Sequence, residues 1–104
     1  MIEQLESEFA DLGVTLGSMF GAPSLFFDGK AFACEKRGFF GAKLGVGTPE
    51  HEAALALPGA ELFDPAGKGR PFRDWVAVPA DKTDVAAALA HQAYDRLRSS
   101  DANR

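Results

Sequence analysis

The dipeptide Asp28-Gly29 lies between two apolar runs, Leu25-Phe26-Phe27 and Ala31-Phe32-Ala33-Cys34. Both central residues of a two-residue type I′ hairpin need positive φ, and Asp-Gly is one of the few pairs that accept it at low cost. The stretch therefore commits the chain to antiparallel strand pairing before composition is considered. With Asp28 and Gly29 as the loop, Phe27 faces Lys30, Phe26 faces Ala31 and Leu25 faces Phe32. Leu25, Phe27 and Phe32 then share one face, and Phe26, Ala31 and Ala33 the other. The polar run Glu35-Lys36-Arg37-Gly38 turns the chain into a third strand, Phe39 to Leu44. The expectation is a three-strand meander.

Helical periodicity brackets this meander. Ile2, Leu5, Phe9 and Leu12 recur at steps of three and four and form one stripe, stopped by Gly13. The stretch GSMFGAP (17–23) reads as a loop, with Met19 and Phe20 as buried anchors. Thr48-Pro49-Glu50 has the grammar of a helix start, namely an N-cap hydroxyl, proline at the first helical position and an acid in the first turn. That helix should end at Pro58-Gly59, before the glycine- and proline-rich loop DPAGKGRP (64–71). Phe72 to Val78 alternates as a further strand, closed by Pro79. A final helix, starting near Asp81 or Thr83, carries Val85, Leu89, Ala93 and Leu97 at steps of four, with Ala86 and Ala90 beside them. The expected order is α-β-β-β-α-β-α, an α+β fold with helices packed on an antiparallel sheet. Residues 1–104 read as a single domain with a frayed tail from residue 99.

Composition narrows the function classes. A net charge of -4 leaves no whole-domain basic footprint for nucleic acid. The acids gather in helical stretches (Glu3, Glu6, Glu8 and Asp11; Glu50, Glu52, Glu61 and Asp64), the bases in strands and turns. One cysteine permits no internal disulfide and fits a reducing compartment. The acidic start MIEQLESEFADLG lacks the basic and apolar regions of a secretory signal. No apolar run has the length of a membrane span. These features point to a soluble, cytoplasmic protein away from membranes.

The reactive side chains form no recognisable set. Cys34 ends a strand with neither a histidine nor a helix N-terminus nearby in sequence, so a quiet, buried or half-buried thiol is expected. His51 and His91 fall in different helices and read as solvated residues; His91 and Asp95 are one turn apart, but nothing aligns a third metal ligand. Ser18 in GSMFG does not match a nucleophile elbow. Gly67-Lys68-Gly69 lacks the first glycine and the Ser or Thr of a phosphate loop. Neither a metal nor a cofactor is expected.

The sheet offers a candidate surface instead. If Val76 and Val78 face the helices, with Phe72 and Asp74 in phase with them, Arg73, Trp75 and Ala77 point outward. Phe40, Ala42 and Leu44 would face inward while Phe39 and Lys43 point outward. Phe39, Lys43, Arg73 and Trp75, with Lys36, Arg37 and Arg70 nearby, combine aromatic platforms with cations. Such a set suits stacking, cation–π pairing or a protein interface. Alternatively, the same aromatics pack beneath a helix or a long loop while the cations snorkel.

Met19-Phe20-Gly21, Asp28-Gly29-Lys30, Phe32-Ala33, Lys43-Leu44, Phe63, Trp75-Val76 and Pro79 occur in an order that resembles the N-terminal domain of the TfoX/Sxy competence-regulator family. The likeness runs from about residue 12 to residue 97. It implies an α+β domain, distantly similar to YjbR-like proteins and often found as a small stand-alone bacterial protein. Full-length relatives are linked to activating DNA-uptake genes alongside a transcription factor, and the family has no established catalytic residues. Ala22-Pro23 departs from the usual glycine-rich continuation, Trp75 stands where tyrosine is common, and the family's second domain has no counterpart in these residues. The resemblance thus implies a non-enzymatic regulatory or protein-interaction module, with a protein partner such as part of the transcription machinery and room for a homodimer. The alternative is a binder of nucleic acid or of an anionic small ligand through the basic-aromatic sheet face.

Overall fold

The computed structural model describes residues 2–102. It is an α+β fold: helices α1 (Ile2–Glu8), α2 (Pro49–Leu55) and α3 (Thr83–Ala102) accompany one antiparallel sheet. The six strands are β1 (Val14–Met19), β2 (Ala22–Phe27), β3 (Lys30–Lys36), β4 (Phe39–Lys43), β5 (Glu61–Phe63) and β6 (Phe72–Pro79), in the spatial order β1-β2-β3-β4-β6-β5. A short 3-10 turn, Ala10–Leu12, joins α1 to β1 through Gly13 in the left-handed region. The tail expected from residue 99 overlaps the end of α3, and residues 103 and 104 lie outside the described residues. Among the described residues, no helix is long and apolar enough to cross a membrane.

The first four strands form a meander turned three times in the same way. Phe20-Gly21, Asp28-Gly29 and Arg37-Gly38 each place both residues at positive φ, between 53° and 80°. This is the two-residue hairpin whose twist matches that of its strands. The Asp28-Gly29 turn is where its chemistry predicts. The stretch read as a loop, GSMFGAP, is instead the end of β1, a turn and the start of β2. Phenylalanine is a poor turn residue, so the local signal was absent.

One register differs from simple alternation. Phe27 pairs with Lys30 and Phe26 with Ala31, but Leu25 pairs with Ala33, not Phe32, across a β-bulge. β3 has one residue more than β2, and the bulge absorbs it. Phe32 and Ala33 consequently both join the helix-side core, and Cys34 moves to the opposite face. Ala33 thus leaves the face that strict alternation assigns it.

The helix side holds the main core: Ile2, Leu5 and Phe9 from the N-terminal segment, Ala86, Leu89, Ala90, Ala93, Tyr94 and Leu97 from α3, and Leu25, Phe32, Phe40, Ala42, Leu44, Val76 and Val78 from the sheet. The predicted helix stripes supply the helix residues other than Tyr94, while Val85 is only half-buried and Leu12 is 39% exposed. Phe9 packs against Phe32 and Tyr94 at centroid distances of 5.6 and 5.4 Å. The Tyr94 hydroxyl donates to the Leu12 carbonyl at 3.2 Å and ties α3 to the entrance of β1. Thr48 caps α2, accepting from the His51 N–H at 3.1 Å.

Candidate interaction face

All buried hydrophobic helix residues among those described belong to the main core, yet the opposite face of the sheet is not bare. It carries a second cluster of Ala22, Cys34, Phe63, Trp75 and Ala77, with Met19, Ala31, Phe39 and Phe72 packed around it. No helix residue among those described contributes to it. The cover comes from the β5–β6 connection. Phe63 pairs with Phe72 after a large register shift in which Leu62 still pairs with Val76. This irregularity carries Phe72 away from the valine face that strict alternation assigns it. Phe63 stacks on Trp75 with centroids 5.7 Å apart and planes inclined by 30°. Phe72 meets both rings edge-on, at 6.5 Å from Phe63 and 6.4 Å from Trp75.

The loop after Phe63 is held by its own acid. Asp64 accepts from the Gly67 N–H at 3.1 Å and from the Gly69 N–H at 2.8 Å. Gly67 and Gly69 adopt positive φ, as such a tight carboxylate-centred turn requires. Arg37 reaches across from the third turn, donates to the Ala66 carbonyl at 3.4 Å and lays its guanidinium on Gly67. The segment that only resembled a phosphate loop is thus an organised flap. A cavity of about 210 Å³ remains beneath it, lined in part by Lys36, Arg37, Phe39, Phe63 and Pro65.

The sequence-selected surface residues divide by depth. Trp75 is only 6% exposed and its ring is engaged by Phe63 and Phe72. Phe39 and Lys43 are half-buried at either end of β4, Lys43 opposite Trp75 in the ladder. Arg73 and Arg70 are exposed. Lys36 donates to the Phe20 carbonyl at 2.8 Å and lies over the Phe20 ring at 5.9 Å. The structure therefore gathers Lys36, Arg37 and Phe39 at one end of the face and Lys43 at the other, with Trp75 underneath.

Sequence reasoning missed Phe20, Phe26 and Phe72. Phe20 is 52% exposed, not a buried anchor, and its ring packs on Phe72 at 5.5 Å. Phe26 is half-buried and lies against Gly17, where an added Cβ would stand 2.7 Å from the ring. No local signal marked the first, because phenylalanine is a poor turn residue. The phase reversal that moves Phe72 has none either.

The titratable groups take structural positions. Cys34 is fully buried, and burial raises its thiol pKa while the Ser24 hydroxyl beside it lowers it. His51 is buried, not solvated as its helix position suggests. Its Nε2 lies 2.7 Å from the Arg73 carbonyl, so it serves as donor there and pins α2 to β6. His91 is exposed, and its ring packs on Phe9 at 4.5 Å. Comparisons with known protein families, curated proteins and solved structures give no match.

Proposed function

We propose that the chain is a non-enzymatic regulatory or protein-interaction module, in the manner of the TfoX N-terminal domain that its sequence resembles. Its docking surface is the helix-free face of the sheet, and its partner is a protein presenting acidic groups around an apolar patch. One observation carries this reading: half-buried Met19, Phe26, Ala31, Phe39 and Phe72 lie on a sheet face to whose apolar cluster no described helix residue contributes. Cations stand at both ends of it, Lys36 and Arg37 beside the acids Glu61 and Asp64 at one end and Lys43 at the other, although the chain as a whole carries -4. Interface cores favour aromatic and methionine side chains, with charge at the rim setting register and choice of partner. A cytoplasmic setting, where the lone thiol stays reduced, belongs to the same proposal.

Binding of nucleic acid would use the same cations differently. A phosphate-tracking mode falls steeply with salt, whereas an apolar contact changes little. The test captures partners from the native cell with the full chain as bait, beside the double charge reversal Lys43→Glu with Arg73→Glu. The reading expects a protein to be captured and severalfold less of it retained by the reversed chain. Equal capture by both would refute the face. Tight binding of labelled duplex DNA that collapses with salt and with Lys43→Ala plus Arg73→Ala would transfer the face to nucleic acid.

A further inference from the structure

We propose that β1 is the interface of a symmetric homodimer, in which the β1 strands of two copies pair antiparallel and join the two sheets into one. This goes beyond the reading of the helix-free face and stands independently of it.

The argument starts from the edges. β1 and β5 end the sheet. β5 is only three residues long and begins with Glu61, a short, charged edge that discourages further pairing. β1 runs for six residues, Val-Thr-Leu-Gly-Ser-Met, with no charge, no proline and no register shift against β2. Neither charge nor proline nor a bulge guards this edge.

The turn decides which backbone groups are open. Residues flanking a two-residue hairpin loop exchange both of their hydrogen bonds, and alternate residues follow suit. Met19 and Ala22 flank Phe20-Gly21, so Met19, Gly17 and Thr15 bond to β2. Val14, Leu16 and Ser18 turn their N–H and C=O groups outward, where no hydrogen bond from another described residue meets them. A two-fold axis through Leu16 satisfies all three at once. Leu16 pairs with its own copy, and Val14 with Ser18 on either side.

The same register accounts for the exposed leucine at this edge. Leu16 is 41% exposed and would lie against itself. Because the interface is isologous and the β5 edge is guarded, assembly closes at two copies instead of growing into a fibre.

The test is sedimentation of the full chain from roughly 1 µM to 1 mM, the range that covers weak to moderate self-association. The proposal expects a monomer–dimer equilibrium. Leu16→Lys sets like charges against each other on the axis and should weaken it at least tenfold, while Leu55→Lys, on an exposed residue of α2, should leave it unchanged. Leu16→Cys should form an intermolecular disulfide readily, since residues paired by two hydrogen bonds across an antiparallel ladder lie about 5.5 Å apart. Thr15→Cys, on the opposite face and off the axis, should not. A chain that stays monomeric throughout, a dimer indifferent to Leu16→Lys, or equal cross-linking at both positions would overturn the proposal. None of these results bears on capture through the helix-free face.

Discussion

A methyl group added at Gly41 would stand 2.7 Å from Cγ of Phe63, with other ring atoms at 2.8 and 2.9 Å. The ring is buried and stacked on Trp75, so it can retreat only by giving up that stack. Gly41→Ala is therefore expected to cost about 1–3 kcal/mol, the range for overpacking a filled site. A lowered thermal midpoint together with a red shift of Trp75 emission would register it; an unchanged midpoint would show that Phe63 is loosely held. Cys34 makes a different prediction, because burial raises its pKa. Below the ordinary thiol range neither state is ionised and the site is neutral with respect to pH. From about pH 8.5 the unfolded chain ionises first, so stability falls as pH rises towards the folded pKa, by at most about 1.4 kcal/mol per pH unit. Cys34→Ala should remove that component, and the difference between the two chains' pH–stability curves above neutrality measures it. Identical slopes would mean that the thiol is reached by solvent.

At the level of elements, the meander depends on backbone conformation more than on contacts at its turns. A Cβ at Gly29 meets nothing within 4 Å, yet its φ is +75°. Gly29→Val should therefore lose about 1–3 kcal/mol to backbone strain alone, read as a shift in denaturation midpoint with no change in the helix-side core. This turn was legible because Asp-Gly carries its own conformational preference. So were the Thr48 cap of α2 and the stripe of α3, each set by residues within a turn of one another. β1 escaped notice because Phe20-Gly21 lacks that preference, and β5 because three residues carry no usable period. The bulge at Phe32–Ala33 was invisible for another reason: it arises from a mismatch in length between two strands, which neither strand reveals alone. The candidate face inherits these limits. Phe39 and Lys43 follow from alternation in β4, whereas the position of Phe72 depends on a register shift set by tertiary packing.

For the whole molecule, the sheet is a wall shared by two apolar clusters of unequal size. Neither can lose its sheet residues without exposing the back of the other. Unfolding should accordingly be cooperative, with Trp75 fluorescence and far-ultraviolet circular dichroism giving coincident midpoints. An earlier fluorescence transition would show that the flap over Trp75 melts alone. The chain has one tryptophan and one tyrosine, and they stand on opposite sides of the wall: Trp75 under the flap, Tyr94 in the helix-side core. Each side therefore carries its own natural chromophore, and no label need be introduced to learn which one an event has touched. A ligand settling on the flap would recolour the indole and leave the phenol silent, while a disturbance of α3 would do the reverse.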